Sequence, residues 1–155
     1  LKSAKQPFDL RPHLFIYLLN TQRVYPNFMP FTILLVDDNA VQAATRKAIL
    51  TYSGQHVVLA SDAGRALELL EDAELARGLR LVITDHLMPG IKGPQFVAEL
   101  RQRFPLLPIM VLSGLPDAEN EYTGMNVIHR VKPIAPEQLI QLAQSLCSDT
   151  LGRTA

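Results

Sequence analysis

From Phe31 onward, short apolar runs alternate with stretches in which apolar residues recur every third or fourth position. The first run, Thr32-Ile-Leu-Leu-Val36, meets Asp37-Asp38 at once. A run without polar alternation predicts a strand covered on both faces. Asn39 is placed to cap the helix that follows, with its inner face expected at Val41, Ala44, Thr45, Ala48 and Tyr52. Gly54 is expected to end it. His56 to Ala60 predicts a second strand. Ser61 or Asp62 then caps a second helix, with Ala66, Leu67, Leu70 and Ala73 inward and Gly78 closing it. Leu81 to Thr84 runs into Asp85 as a third strand, and Pro94 to Arg103 predicts a third helix on Phe96, Val97 and Leu100. Proline is tolerated in that first turn because its missing donor would be unpaired there anyway. Pro108 to Leu112 is a fourth strand, ending in Ser113-Gly114. The next stretch holds Pro116 and Gly124 and has weak periodicity, so a short or irregular fourth helix is expected. Asn126 to Val131 is a fifth strand, ending at Lys132-Pro133. Pro136 opens a last helix carrying Leu139, Ile140, Ala143 and Leu146.

Strand and helix alternating in this way imply an α/β fold, a five-stranded parallel sheet with helices on both faces. Crossovers are then right-handed, and strand order 2-1-3-4-5 is the common solution. Residues 1–30 differ. Pro7, Pro12, Pro26 and Pro30 rule out a long helix there. The apolar run Leu14 to Leu19 falls far short of the ~20 residues a membrane span needs. Its side chains would want cover, which leaves an upstream domain or dimerisation open. The expected organisation is a lead segment over 1–30, one domain over 31–148 and a tail over 149–155.

Composition sharpens this picture in two ways. Lys plus Arg and Asp plus Glu number 15 each, which gives no electrostatic case for direct nucleic-acid binding. The lead nevertheless carries a net +3, so the rest carries −3, which is compatible with a carboxylate site without demanding one. Cys147 is the only cysteine, so neither an internal disulfide nor a thiolate metal cluster is available. A cytoplasmic setting fits, with Cys147 as a small apolar residue on a late helix.

The chemistry gathers at the ends of the strands. Asp37 and Asp38 follow the first, Asp85 ends the third, Ser113 the fourth and Lys132 the fifth. Open parallel sheets bind ligands beyond these ends, where the strand order reverses. Taken alone, Asp37-Asp38 could be a capping pair and Lys132 a surface lysine; their coincidence on one edge points to a site. Two unit charges about 4 Å apart at an effective dielectric of about 20 repel by about 4 kcal/mol, so three carboxylates call for a cation. Oxygen ligands favour Mg²⁺ or Mn²⁺, and Mg²⁺ is a partner of phosphate oxygens. A carboxylate can attack phosphorus, while Lys132 and the Ser113 hydroxyl can meet phosphoryl oxygens.

Ile33-Leu-Leu-Val-Asp-Asp-Asn39, Leu81-Val-Ile-Thr-Asp-His-Leu-Met-Pro-Gly90, Pro108-Ile-Met-Val-Leu-Ser-Gly114 and Val131-Lys-Pro133 together resemble the receiver domain of response regulators and hybrid histidine kinases, over about Phe31 to Cys147. The resemblance implies a flavodoxin-like fold and two-component signalling. It implies Asp85 as phosphoacceptor, Asp38 as direct Mg²⁺ ligand, Asp37 as holder of metal-bound water and the Leu87 backbone carbonyl as a further ligand. It implies Ser113 as the hydroxyl that senses phosphorylation, Lys132 as the phosphate contact and a cis Lys132-Pro133 bond. The partners implied are a histidine kinase or phosphotransfer protein, with output through a partner or a domain outside this chain.

Three features depart from that pattern. His129 stands three residues before Lys132, where Tyr or Phe is usual. It is either a pH-sensitive switch or an exposed strand-edge histidine. The Ser113–Lys132 interval is about three residues shorter than the family leads one to expect. His86 and Leu87 flank Asp85 near the path of hydrolytic water. Two other classes stay open: a receiver-like interaction module that takes no phosphate, and a Mg²⁺-dependent phosphohydrolase. The second would want a carboxylate two residues beyond its nucleophile, where this chain has Leu87.

Overall fold

The computed structural model describes residues 31–149, and the readings made for 1–30 and the end of the tail lie outside them. Five strands, β1 (Thr32–Val36), β2 (His56–Ala60), β3 (Leu79–Asp85), β4 (Ile109–Ser113) and β5 (Ile128–Val131), form one sheet in the order β2-β1-β3-β4-β5. Every pairing is parallel. The helices are α1 (Ala40–Tyr52), α2 (Ala63–Leu69), α3 (Ala73–Gly78), α4 (Gly93–Arg103) and α5 (Pro136–Asp149), with a 3-10 helix at Pro116–Tyr122.

The period of two along each strand divides the core. Leu34, Val36, Val82, Ile109 and Val111 face one layer, which Ala63, Ala66, Phe96, Val97 and Leu100 cover from α2 and α4. Ile33, Leu35, Leu81, Ile83, Met110 and Leu112 face the other, under Leu50, Leu139, Ala143 and Cys147 from α1 and α5. β1 and β4 are therefore buried at every position, whereas the edge strands β2 and β5 are only partly covered. Each buried Leu, Ile or Phe contributes about 1.5–3 kcal/mol, so the central strands anchor the rim residues that follow them. Burial also pushes the Cys147 thiol up to about 11, which keeps it protonated and unreactive.

Two helices differ from expectation. On α1, Ala43 and Leu50 are buried, while Val41 is 76% and Tyr52 92% exposed. The helix carries apolar residues on more than one side. Seating Leu50 between the sheet and α5 turns Val41, Ala44, Thr45, Ala48 and Tyr52 toward solvent. The second helix is two. Asp72 accepts from the backbone N–H of Glu74 at 2.8 Å and of Leu75 at 3.3 Å, restarting the helix as α3 and leaving Ala73 exposed. Two strand boundaries also move. β3 begins at Leu79, and β5 only at Ile128, because Asn126 takes a left-handed φ of 53°. The segment after Ser113 is short and irregular as expected, folding as a 3-10 helix that buries Ala118 and Tyr122.

Gly93 opens α4 where the chain passes the end of β3. A Cβ there would overlap the Tyr122 hydroxyl and lie 2.9 Å from the His86 carbonyl oxygen. Gly93→Ala is expected to destabilise the domain by about 1–3 kcal/mol, read from urea unfolding. Gly114→Ala, with nothing within 4 Å of its Cβ, serves as the control and should move stability by less than about 0.5 kcal/mol.

Candidate functional site

The register of β1 on β3 pairs Val36 with Thr84, so the next residues, Asp37 and Asp85, leave the sheet side by side. Oxygens of Asp37, Asp38 and Asp85 lie within 4.8 Å of one another. Asp37 and Asp85 are buried and Asp38 is exposed. Asp37 Oδ1 accepts from the Asn39 backbone N–H at 2.8 Å. Lys132 Nζ sits 3.3 Å from Asp85 Oδ2. Its backbone N–H donates to the Ser113 carbonyl at 2.7 Å, fastening the end of β5 to that of β4. The Lys132-Pro133 bond is cis, as the resemblance implied.

Arg46, which no motif singled out, also enters the cluster. Its guanidinium pairs with Asp37 Oδ2 and stands 3.5 Å from Asp85 Oδ1. Its place on α1, three residues after Ala43 and four before Leu50, marks it only once packing has seated those two in the core. A residue between two core positions at helical spacing must face inward.

Asp85 carries the strain of this arrangement. Burial first, and the Asp37 charge second, raise it from 3.8 to about 6, against the pull of Lys132 and Arg46. Asp85 Oδ1 makes no hydrogen bond although it is buried. A buried acceptor with no donor fits a cation site, and the all-oxygen donor set fits Mg²⁺ or Mn²⁺.

The other candidates are placed less directly. Ser113 is buried, but its hydroxyl donates to the Leu115 carbonyl at 3.1 Å and accepts from the Leu115 N–H at 2.9 Å. It closes a turn and makes no hydrogen bond to Asp85. His129 is buried on β5, which corrects the expectation of an exposed strand-edge residue. Its ring centroid lies 6.5 Å from that of Tyr122, and its Nε2 makes no hydrogen bond. His86 is likewise buried, with its ring directed to the 3-10 helix. Its Nδ1 pairs with the Tyr122 hydroxyl at 2.7 Å and its Nε2 lies 3.5 Å from the Glu121 carboxylate. Burial, then the Glu121 charge, raise the Tyr122 phenol, which stays protonated. The Leu87 side chain is exposed.

A parallel 2-1-3-4-5 sheet with an acidic pocket at its switch point is the architecture of a receiver-type signalling domain. Residues 33–144 match the response regulator receiver domain, and the chain belongs to that family. The hydrogenase transcriptional regulatory protein HoxA of Cupriavidus necator is 32% identical over 114 residues, 70% of this chain and 22% of its own length. Response regulator MprA of a Mycobacterium species is 29% identical over 125 residues, 79% of this chain and 53% of its own. The crystal structure of a response regulator receiver protein from Pseudomonas putida is 28% identical, with a TM-score of 0.67 over 75% of this chain and 97% of its own. The chain thus spans between about a fifth and a half of the curated relatives it matches. Receiver domains are signalling domains, and they generally hold Mg²⁺ in an acidic pocket of this kind. Among the described residues, no helix is long and apolar enough to cross a membrane.

The raised Asp85 sets a pH dependence. Its stabilising neutral form is fully present below about 3.8 and is lost as pH rises through about 6. In metal-free buffer, Asp85→Asn is therefore expected to be more stable than the parent near neutral pH, by on the order of 1 kcal/mol. Thermal denaturation should show the gap closing toward about pH 4. A constant gap would mean that Asp85 ionises normally.

Proposed function

We propose that this chain is a phosphoacceptor receiver in which Asp85 takes a phosphoryl group from a phosphohistidine of a kinase or phosphotransfer protein. The observation that carries the reading is the buried, hydrogen-bond-free Asp85 oxygen at the rim where Asp37, Asp38 and Lys132 converge. An Asp85 oxygen bonds to phosphorus as the nitrogen–phosphorus bond of the donor breaks, and the leaving imidazole takes up a proton. Asp37, Asp38, Asp85 and the Leu87 backbone carbonyl would hold Mg²⁺ or Mn²⁺, which when bound neutralises the carboxylates and the phosphoryl oxygens. Lys132 stands within reach of a further phosphoryl oxygen.

The relay follows from what Ser113 must give up. To meet a phosphoryl oxygen its hydroxyl leaves Leu115, which loosens the turn into the 3-10 helix. That movement opens room beside His129, the proposed switch residue, whose buried Nε2 gives no hydrogen bond to hold it. A groove of about 520 Å³ between α1 and the Lys132–Pro136 segment leads from solvent to Arg46 and Lys132, which suits the approach of a donor helix. Output passes to a partner or to a domain outside this chain.

Acetyl phosphate with Mg²⁺ should add one phosphoryl group to the protein by mass spectrometry, mapped to Asp85. Asp85→Asn or removal of the metal should abolish the addition. Lys132→Ala should slow it by tenfold or more, about 1.4 kcal/mol in the barrier. An unmodified parent, under conditions that label another receiver, would leave the interaction-module reading in its place.

A further inference from the structure

Arg46 sits where a metal-binding site has no evident use for a positive charge. Asn39 fixes the start of α1 through its side-chain bond to the Gln42 N–H, at 3.0 Å. The core contacts of Ala43 and Leu50 fix its rotation. Arg46 then faces inward, and the carboxyl rim is the polar outlet its guanidinium finds. There it pairs with Asp37, lies 3.5 Å from Asp85 and donates from Nη2 to Gln42 Oε1 at 3.0 Å. Its side chain is only 11% exposed. These contacts use Asp37 Oδ2 and crowd the buried Asp85 Oδ1, the oxygens a divalent ion would need. A guanidinium carries a permanent charge and cannot make room by losing a proton. Cation beside cation repels, so the two occupants compete.

We propose that Arg46 is a tethered counter-ion. It holds the acidic cluster together in the metal-free protein, competes with the divalent ion for Asp37 and Asp85, and so lowers the affinity of the site for metal. Occupation by metal requires the guanidinium to move out. The exit is present, because Gln42, Thr45 and Arg46 line the same groove as Lys132, and a displaced guanidinium can enter it. The consequence is a receiver that becomes ready for phosphate only at a higher free divalent-cation concentration than the carboxylates alone would require. The inference rests on the metal reading given under the proposed function.

Calorimetric titration with Mg²⁺, repeated with Mn²⁺, tests it on the full chain. Arg46→Met keeps an unbranched, flexible apolar stem but removes the guanidinium and its charge, and it should bind either ion about tenfold more tightly than the parent. Arg46→Lys keeps the charge but not the planar fork, and should fall between them. In thermal denaturation Arg46→Met should melt lower than the parent without metal and gain more from saturating Mg²⁺. Equal or weaker binding by a folded Arg46→Met would reduce Arg46 to a structural ion pair and overturn the proposal. If that variant does not fold, parental affinity in Arg46→Lys overturns it as well. Should all three proteins bind metal alike, only the Arg46 inference fails. If none binds, the metal reading fails with it.

Discussion

Two carboxylates with every electrostatic reason to separate are held side by side at the ends of β1 and β3. What holds them is the hydrogen-bonded register of two strands buried on both faces. Neither strand can shift by one residue without turning its apolar side chains into the wrong layer. The sheet therefore imposes the repulsion, and the rim answers it with charge. Lys132 arrives from β5, Arg46 from α1, and the Asn39 backbone N–H serves Asp37. A cation has a place there because packing elsewhere does not let the acids part.

Much of this was legible in the residues, and for a definite reason. Thr32–Val36 and Ile109–Ser113 are uninterrupted enough to admit little but central strands. Once they are placed, Asp37, Asp85, Ser113 and Lys132 fall on one edge by connectivity. Residue types at strand ends need no side-chain geometry to be located.

What was not legible depended on rotation and on rotamer. The face of α1 could not be chosen from spacing, because Val41 and Tyr52 compete with Ile49 and Leu50 for the core, and only tertiary packing decides. Arg46 was lost with that choice. The break at Asp72 could have been read, since an acidic residue two before Glu74 is a helix-start signal. The Ser113 hydroxyl is a different case. Its residue type could be read, but its rotamer, which satisfies both backbone groups of Leu115, could not.

Tyr122 ties together parts of the molecule that are far apart in the chain. Its phenol touches the residue next to Asp85, its ring neighbours His129, and its backbone ends the 3-10 helix. Such a helix has poor internal bonding and keeps its position largely through its anchors. The segment from Pro116 to Tyr122 is thus clasped to the domain by two buried side chains, Ala118 and Tyr122, with Glu121 beside His86. Where those anchors go, the surface presented by the segment goes with them.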